Sequence, residues 1–159
     1  MDKIVVQTED FDLTTEVSHT RNNNPQIGAI VSFIGTVRDL HPGSISSLTL
    51  EHYPEMTEKS LKSIVTEARG RWNLQNVTII HRIGELKVND QIVLVVTTSK
   101  HRQAAFESCY FIMDYLKTDA PFWKKESTEQ KEEWVESRES DDEQKKTLAV
   151  LKIKVFRSI

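Results

Sequence analysis

Residues 91–98, QIVLVVTT, form a near-continuous apolar run. A short run of this kind, rich in β-branched residues, is expected of a strand covered on both faces, so it must sit inside a sheet with packing above and below it. It feeds directly into residues 99–126, SKHRQAAFESCYFIMDYLKTDAPFWKKE. There Ala105, Phe106, Cys109, Ile112, Met113 and Leu116 recur at spacings of three and four, the period of one buried helical face. Ser99 is the predicted N-cap, and Pro121 marks the stop. Basic groups stand at both ends of this helix. Lys100, His101 and Arg102 open it, Lys117 closes it, and Lys124 and Lys125 follow beside Trp123. A helix N-terminus disfavours cations, so His101 and Arg102 are best tolerated there if an anion binds. Solvated basic residues at a helix start would look the same.

The rest of the chain alternates short strands and helices, which predicts an α+β class in a single domain. Residues 3–8 read as a strand, 11–21 as a short helix and 22–25 as a loop. Residues 27–39, IGAIVSFIGTVRD, read as a long central strand ending at Arg38, with Gly28 and Gly35 marking a bulge or a close backbone approach. The turn DLHPGS leads to a strand over 46–53, expected to run antiparallel to its predecessor. Pro54 opens a helix with Leu61, Ile64, Val65 and Ala68 as its buried stripe and Gly70 as its stop, and Trp72 and Leu74 are expected to pack beneath it. Residues 77–86, VTIIHRIGEL, read as one strand with Val77, Ile79, His81 and Ile83 on a common face, so His81 reads as a hydrogen-bonded core histidine. KVND is a turn. The tail TLAVLKIKVFRSI, from Thr147, reads as an edge strand guarded by Lys152 and Lys154.

Composition narrows the functional classes. With 38% apolar and 28% charged residues among 159, the chain is an ordinary globular protein large enough for a real core. No apolar run approaches a membrane span, and the N-terminus lacks a signal-type apolar region, so the cytoplasm is the expected compartment and no membrane partner is expected. Cys109 is the only cysteine, which rules out an intramolecular disulfide, and its place on the buried helical face makes it core. The net charge of −3 conceals an acidic segment: residues 126–146 hold nine acids against four Lys or Arg. The remaining body is only mildly basic, unlike the broad basic face of a nucleic-acid binder.

Familiar catalytic signatures are missing. The five histidines, at 19, 41, 52, 81 and 101, include no i, i+4 pair and join no cysteine cluster, so no metal site or cofactor is expected. Neither common glycine-rich phosphate loop nor a serine nucleophile elbow occurs. What remains is a set of cations: Arg38, Arg102, Lys117, Lys124, Lys125 and Arg138. An amine crowded by other cations becomes an acid, base or nucleophile, and an arginine fork clamps phosphate. Together they suit a phosphorylated substrate without a metal. Arg102 and Lys117 lie fifteen residues apart. In a helix that is roughly 22 Å, too far for both to reach one small molecule. Either one end works alone, or the Lys117 end of one chain joins the Arg102 end of another in a two-fold homodimer.

Five segments in this order, GAIVSFIGTVRD, LTLEHYPEMTEKSL, VTIIHRIGEL, SKHRQAAFE and DYLKTDAPFWKKE, resemble the large, catalytic subunit of molybdopterin synthase, the MoaE family. The resemblance covers about residues 27–138, with a matching domain drawn over 1–146 and the tail 147–159 outside it. It implies an α/β hammerhead with an additional antiparallel sheet. It implies a central homodimer carrying a small ubiquitin-like sulfur-carrier subunit (MoaD-like) at each end, a heterotetramer overall. The carrier's C-terminal Gly-Gly thiocarboxylate would enter a pocket built across the dimer. There, cyclic pyranopterin monophosphate would receive two sulfurs and become molybdopterin, in molybdenum cofactor biosynthesis.

Carried over by motif, Lys117 and Lys124 match the family's essential lysines. The expected roles are acid/base work and stabilisation of the oxyanion at the thiocarboxylate carbon. Thr36, Val37 and Arg38 match the substrate-contacting strand end. His101 and Arg102 match the pair that binds substrate from the partner subunit. Lys125 and Glu126 complete the lysine-bearing segment, Arg138 is a further contact, and Phe33 and Met113 are candidate pocket walls. Asp119 departs from a purely cationic segment and would weaken local cation density. The resemblance favours a sulfurtransferase. A non-catalytic scaffold docking a ubiquitin-like tail is the alternative, and a metal-free phosphate-ester enzyme is a third reading that rests on the cation cluster alone.

Overall fold

A computed structural model describes residues 1–39, 47–127 and 132–135. The chain runs β1 (Lys3–Gln7), α1 (Leu13–Arg21), β2 (Ala29–Thr36), β3 (Ser47–His52), α2 (Met56–Arg71), β4 (Leu74–Arg82), β5 (Gly84–Leu86), β6 (Gln91–Ser99), α3 (Arg102–Thr118), β7 (Phe122–Ser127) and β8 (Glu132–Val135). Two four-stranded sheets result, in the orders β1-β4-β6-β2 and β5-β3-β7-β8. The first is mixed, with β1 parallel to β4 and the other pairs antiparallel; the second is antiparallel throughout. This is the expected α+β architecture with an additional antiparallel sheet.

The apolar run does lie between two packed layers. Val93 and Val95 of β6, with Val77 and Ile79 of β4, turn to one face and meet Leu61, Val65, Cys109, Ile112 and Leu116 from α2 and α3. Leu94, Val96 and Ile80 turn to the opposite face and meet Phe11, Leu13 and Val17 around α1. Strand alternation thus divides one apolar sequence between two cores. Fully burying each such side chain contributes about 1.5–3 kcal/mol. The second sheet has its own smaller core of Val37, Leu48, Leu50 and Leu86.

Several expectations need correction. Among the described residues β2 is not central but the edge strand of its sheet, with Ile30 and Phe33 more than a third exposed. β3 does not pair with β2; it joins β5 and β7 in the second sheet. Residues 77–86 are not one strand. The chain breaks at Gly84, whose φ of +86° only glycine adopts freely, and passes from the first sheet to the second. α2 continues through Gly70 to Arg71. Phe106 is not in the buried stripe of α3; it is 62% exposed, while Ser108 is buried. One residue rotates a helix by 100°, so Phe106 flanks the stripe that Ala105 and Cys109 define. The N-cap of α3 is His101, not Ser99, and its side chain makes no capping bond.

Gly28 shows the close approach expected of it. A Cβ there would press into the Lys100 carbonyl oxygen, and the Gly28 N–H donates to Ser99 O at 3.0 Å. Gly35 marks a register irregularity where β2 leaves β6. The DLHPGS turn, apart from Asp39, and the tail from Thr147 lie outside the described residues.

Candidate active site between the two sheets

The seam where α3 ends and β7 begins is tightly held. The Asp119 and Ala120 N–H groups both donate to Tyr115 O, at 2.9 and 3.1 Å, and close the helix. The Ser60 and Tyr115 hydroxyls bond to each other, tying α2 to α3. Thr57, fully buried, donates its hydroxyl to Pro121 O at 3.0 Å and accepts the Tyr53 N–H at 3.2 Å. The chain after the Pro break therefore has one direction, and β7 is laid along β3 with Lys124 opposite Leu50.

This seam borders a cavity of about 580 Å³. α3 supplies Met113, Leu116, Lys117 and Thr118; β7 supplies Phe122, Trp123 and Lys124; β2 supplies Phe33, Gly35 and Thr36; His81 lines it from β4. Lys117 and Lys124, seven residues apart and on different elements, thus reach one space. A smaller cavity of about 390 Å³ adjoins it, sharing Phe33, Met113 and Lys117, and is walled mainly by apolar groups including Phe106, Tyr110 and Cys109. Burial pushes the Cys109 thiol up to about 11 against a hydrogen bond with Thr97, so it remains an unreactive core group.

Of the residues expected to serve the site, Phe33, Thr36, Met113, Lys117 and Lys124 line the larger cavity. Others do not. Val37 is 3% exposed and belongs to the core of the second sheet, pinned by backbone bonds to Asn89 and Asp90. Arg38 is exposed just beyond it and outside the cavity lining. Lys125 pairs with Thr49, one residue out of phase with Lys124, so alternation turns it to the opposite face of the sheet. Glu126 occupies the register position opposite Leu48 on β7. His101 and Arg102 are exposed at the far end of α3, whose first turn holds no acidic residue. α3 is continuous from Arg102 to Thr118, so the separation of roughly 22 Å between Arg102 and Lys117 stands. Arg138 lies outside the described residues.

His81 was expected only as a core histidine. It is that, at 7% exposure, with its ring stacked on Phe122 at 3.7 Å between centroids and 14° between planes. It also lines the cavity. Burial, opposed by the bond to Arg82 O and reinforced by Lys124, His52 and Lys117, pulls its pKa down to about 4, so the imidazole is neutral at physiological pH. Its apolar neighbours in sequence gave no sign that a cavity begins at the end of β4. Tyr53 packs edge-on against Trp123, with centroids 4.4 Å apart, at the outer rim. Among the described residues no group of three or more His, Cys, Asp or Glu is arranged to hold a metal ion. No described helix is long and apolar enough to cross a membrane.

Two amines converging on a cavity of mixed polar and apolar lining suit chemistry in which negative charge builds up on oxygen. An ammonium group stabilises such an oxyanion and donates a proton to it, and the same group as a neutral amine accepts one.

Comparison with known proteins gives a consistent result. Residues 6–119 match the family described as MoaE protein. The molybdopterin synthase catalytic subunit of Ralstonia nicotianae is 55% identical over 143 residues, covering 89% of this chain and 81% of that protein. The molybdopterin biosynthesis MoaE protein from Burkholderia ambifaria superposes with a TM-score of 0.80 at 52% identity, covering 94% of this chain and 99% of that one. Molybdopterin synthase from Staphylococcus aureus superposes with a TM-score of 0.76 at 32% identity, covering 82% and 95%.

Proposed function

The chain belongs to the MoaE family, and on that premise we propose that it works as the large, catalytic subunit of molybdopterin synthase. It inserts two sulfurs into cyclic pyranopterin monophosphate, each delivered by one C-terminal thiocarboxylate of a small ubiquitin-like carrier. The observation that carries this reading is the meeting of Lys117 and Lys124 in one cavity. Once the thiocarboxylate sulfur has replaced an oxygen substituent on a precursor carbon, water attacks the carrier's acyl carbon; the tetrahedral oxyanion collapses, the acyl C–S bond breaks, and the carrier leaves as a carboxylate. Lys117 and Lys124 together stabilise that charge and move the proton. The protein acts in the cytoplasm.

The complete pocket draws on two copies of the chain. His101 and Arg102 are too far along α3 to serve the Lys117 of their own chain. The exposed Phe33, Phe106 and Tyr110 around the smaller cavity form an apolar face that a second copy would cover. The partner's His101 and Arg102 then join Arg38 at the substrate phosphate, and Lys125, Glu126 and Arg138 extend the same rim.

The test is direct. Incubation with thiocarboxylated carrier and precursor should yield the dithiolene product, which a scaffold alone would not make. Lys117→Ala should fold normally and lose nearly all turnover; a comparable rate in the variant would remove Lys117 from the mechanism. Mixing inactive Lys117→Ala and Arg102→Ala chains should restore about one intact pocket per mixed dimer. No recovery would contradict the shared site.

A further inference from the structure

We propose that His81 is a specificity-determining residue of the cavity, offering its Nε2 lone pair to an amide-type N–H of the bound molecule. The proposal rests on the reading of the cavity as the reaction site.

The geometry leaves the imidazole one role. Its Nδ1 lies 2.8 Å from the Arg82 carbonyl oxygen. A carbonyl only accepts, so Nδ1 carries the proton and Nε2 carries the lone pair. Stacking on Phe122 fixes the ring plane, and the Nδ1 bond fixes its rotation. Nε2 has no hydrogen-bond partner among the described residues, yet no buried side-chain nitrogen or oxygen there is unsatisfied. The nitrogen is therefore open to the cavity that His81 lines.

Its surroundings make this acceptor distinctive. The lysines that share the cavity, Lys117 and Lys124, are donors only when charged. The Thr118 hydroxyl already donates to Asp114 O at 2.9 Å. The groups acting on the ring from neighbouring elements, Lys124, His52 and Lys117, are all basic and disfavour its protonation. A ligand bearing only acceptors, such as sulfate, satisfies the lysines and leaves Nε2 bare. A ligand that also carries an N–H satisfies both. Two such ligands meet here on the reading above: a pterin ring, with its lactam and amine donors, and the main chain of a carrier tail. A site built to bond a donor rejects an analogue lacking it, because its own polar group is then left unpaired.

Two substitutions separate the acceptor from the packing. Asn at 81 keeps a donor near the Nδ1 position and removes the acceptor; Gln places an amide oxygen near the Nε2 position. H81N should raise the KM for the pterin precursor, or the Kd for the carrier, about tenfold with a smaller change in kcat, and H81Q should recover most of that loss. A rise confined to the precursor identifies the ring as donor; a rise confined to the carrier identifies the tail. Neither constant changing in folded H81N, or H81Q performing no better than H81N, would overturn the proposal.

Titration of intact, ¹⁵N-histidine-labelled protein with each ligand gives a reading that needs no variant. The Nε2 resonance should move while the ring stays neutral, and its staying fixed with both ligands would also overturn the proposal. Wild-type protein that makes no product would instead remove the sulfur-transfer reading, and the titration would still report on His81.

Discussion

Acidification should weaken this fold through His81 in a defined window. The imidazole has an ordinary pKa of 6.5 and is held at about 4 in the folded protein. Between those values the unfolded chain binds a proton that the folded chain refuses. Stability is therefore undiminished above pH 6.5, falls as pH drops below it, and stops falling on this account below about pH 4. The slope is about 1.4 kcal/mol per pH unit, so going from pH 7.5 to 4.5 costs about 3 kcal/mol. Urea unfolding of wild type and H81Q at pH 7.5, 5.5 and 4.5 isolates the effect. H81Q loses the ring stacking at every pH and should be the weaker protein at 7.5.

Because H81Q lacks the titrating group, its stability should fall less steeply, and the gap should close by about 3 kcal/mol at pH 4.5. Other acid-sensitive groups cancel in the comparison. Asp10, whose slight burial is outweighed by bonds from the Phe11 N–H and Gln91 and by Arg82, sits below the usual carboxylate range. So does Asp12, bonded by the Thr15 hydroxyl and N–H. Both titrate alike in the two proteins. A gap that stays constant from pH 7.5 to 4.5 would refute the claim that the fold holds His81 neutral.

Other perturbations test the frame around the cavity. Gly28→Ala would press a methyl against the Lys100 backbone carbonyl. It should cost about 1–3 kcal/mol in urea unfolding and, by displacing the start of α3, raise KM more than it lowers kcat. Thr57→Val would strand the Pro121 carbonyl. It should cost about 1–3 kcal/mol, and it should lower kcat because the turn that orients Lys124 loosens. Arg38→Ala should weaken precursor affinity in a direct binding titration with little change in melting, and an unchanged affinity would make Arg38 a plain surface residue.

The parts of this fold that were legible in the sequence are those whose covering lies within the chain itself. The run 91–98 and the stripe through Ala105, Cys109, Ile112 and Leu116 are buried by other residues of the same protein. β2 misled for the opposite reason. Ile30 and Phe33 make it look central, but apolarity reports that a surface seeks cover, not what supplies it. The same holds for Phe106. The break in 77–86 turns on Gly84 alone, because the alternation around it continues unbroken through Ile83. Lys117 and Lys124 could be matched by motif, yet their convergence needed the Pro121 turn and its anchor on Thr57, a contact sixty-four residues distant in sequence. His81 was assigned to the correct face. Alternation says which way a side chain points, and it is silent on whether the space ahead is filled.

The regular α3 also constrains how this chain can change. Its seventeen residues keep Arg102 and Lys117 in a set angular phase as well as at a set distance. A single-residue insertion between them would swing everything downstream through about 100° and advance it about 1.5 Å, carrying Lys117 out of the space it shares with Lys124. Growth or shrinkage of this segment is therefore tolerable only in near-whole turns, and even those would unbalance the reach to a neighbouring copy.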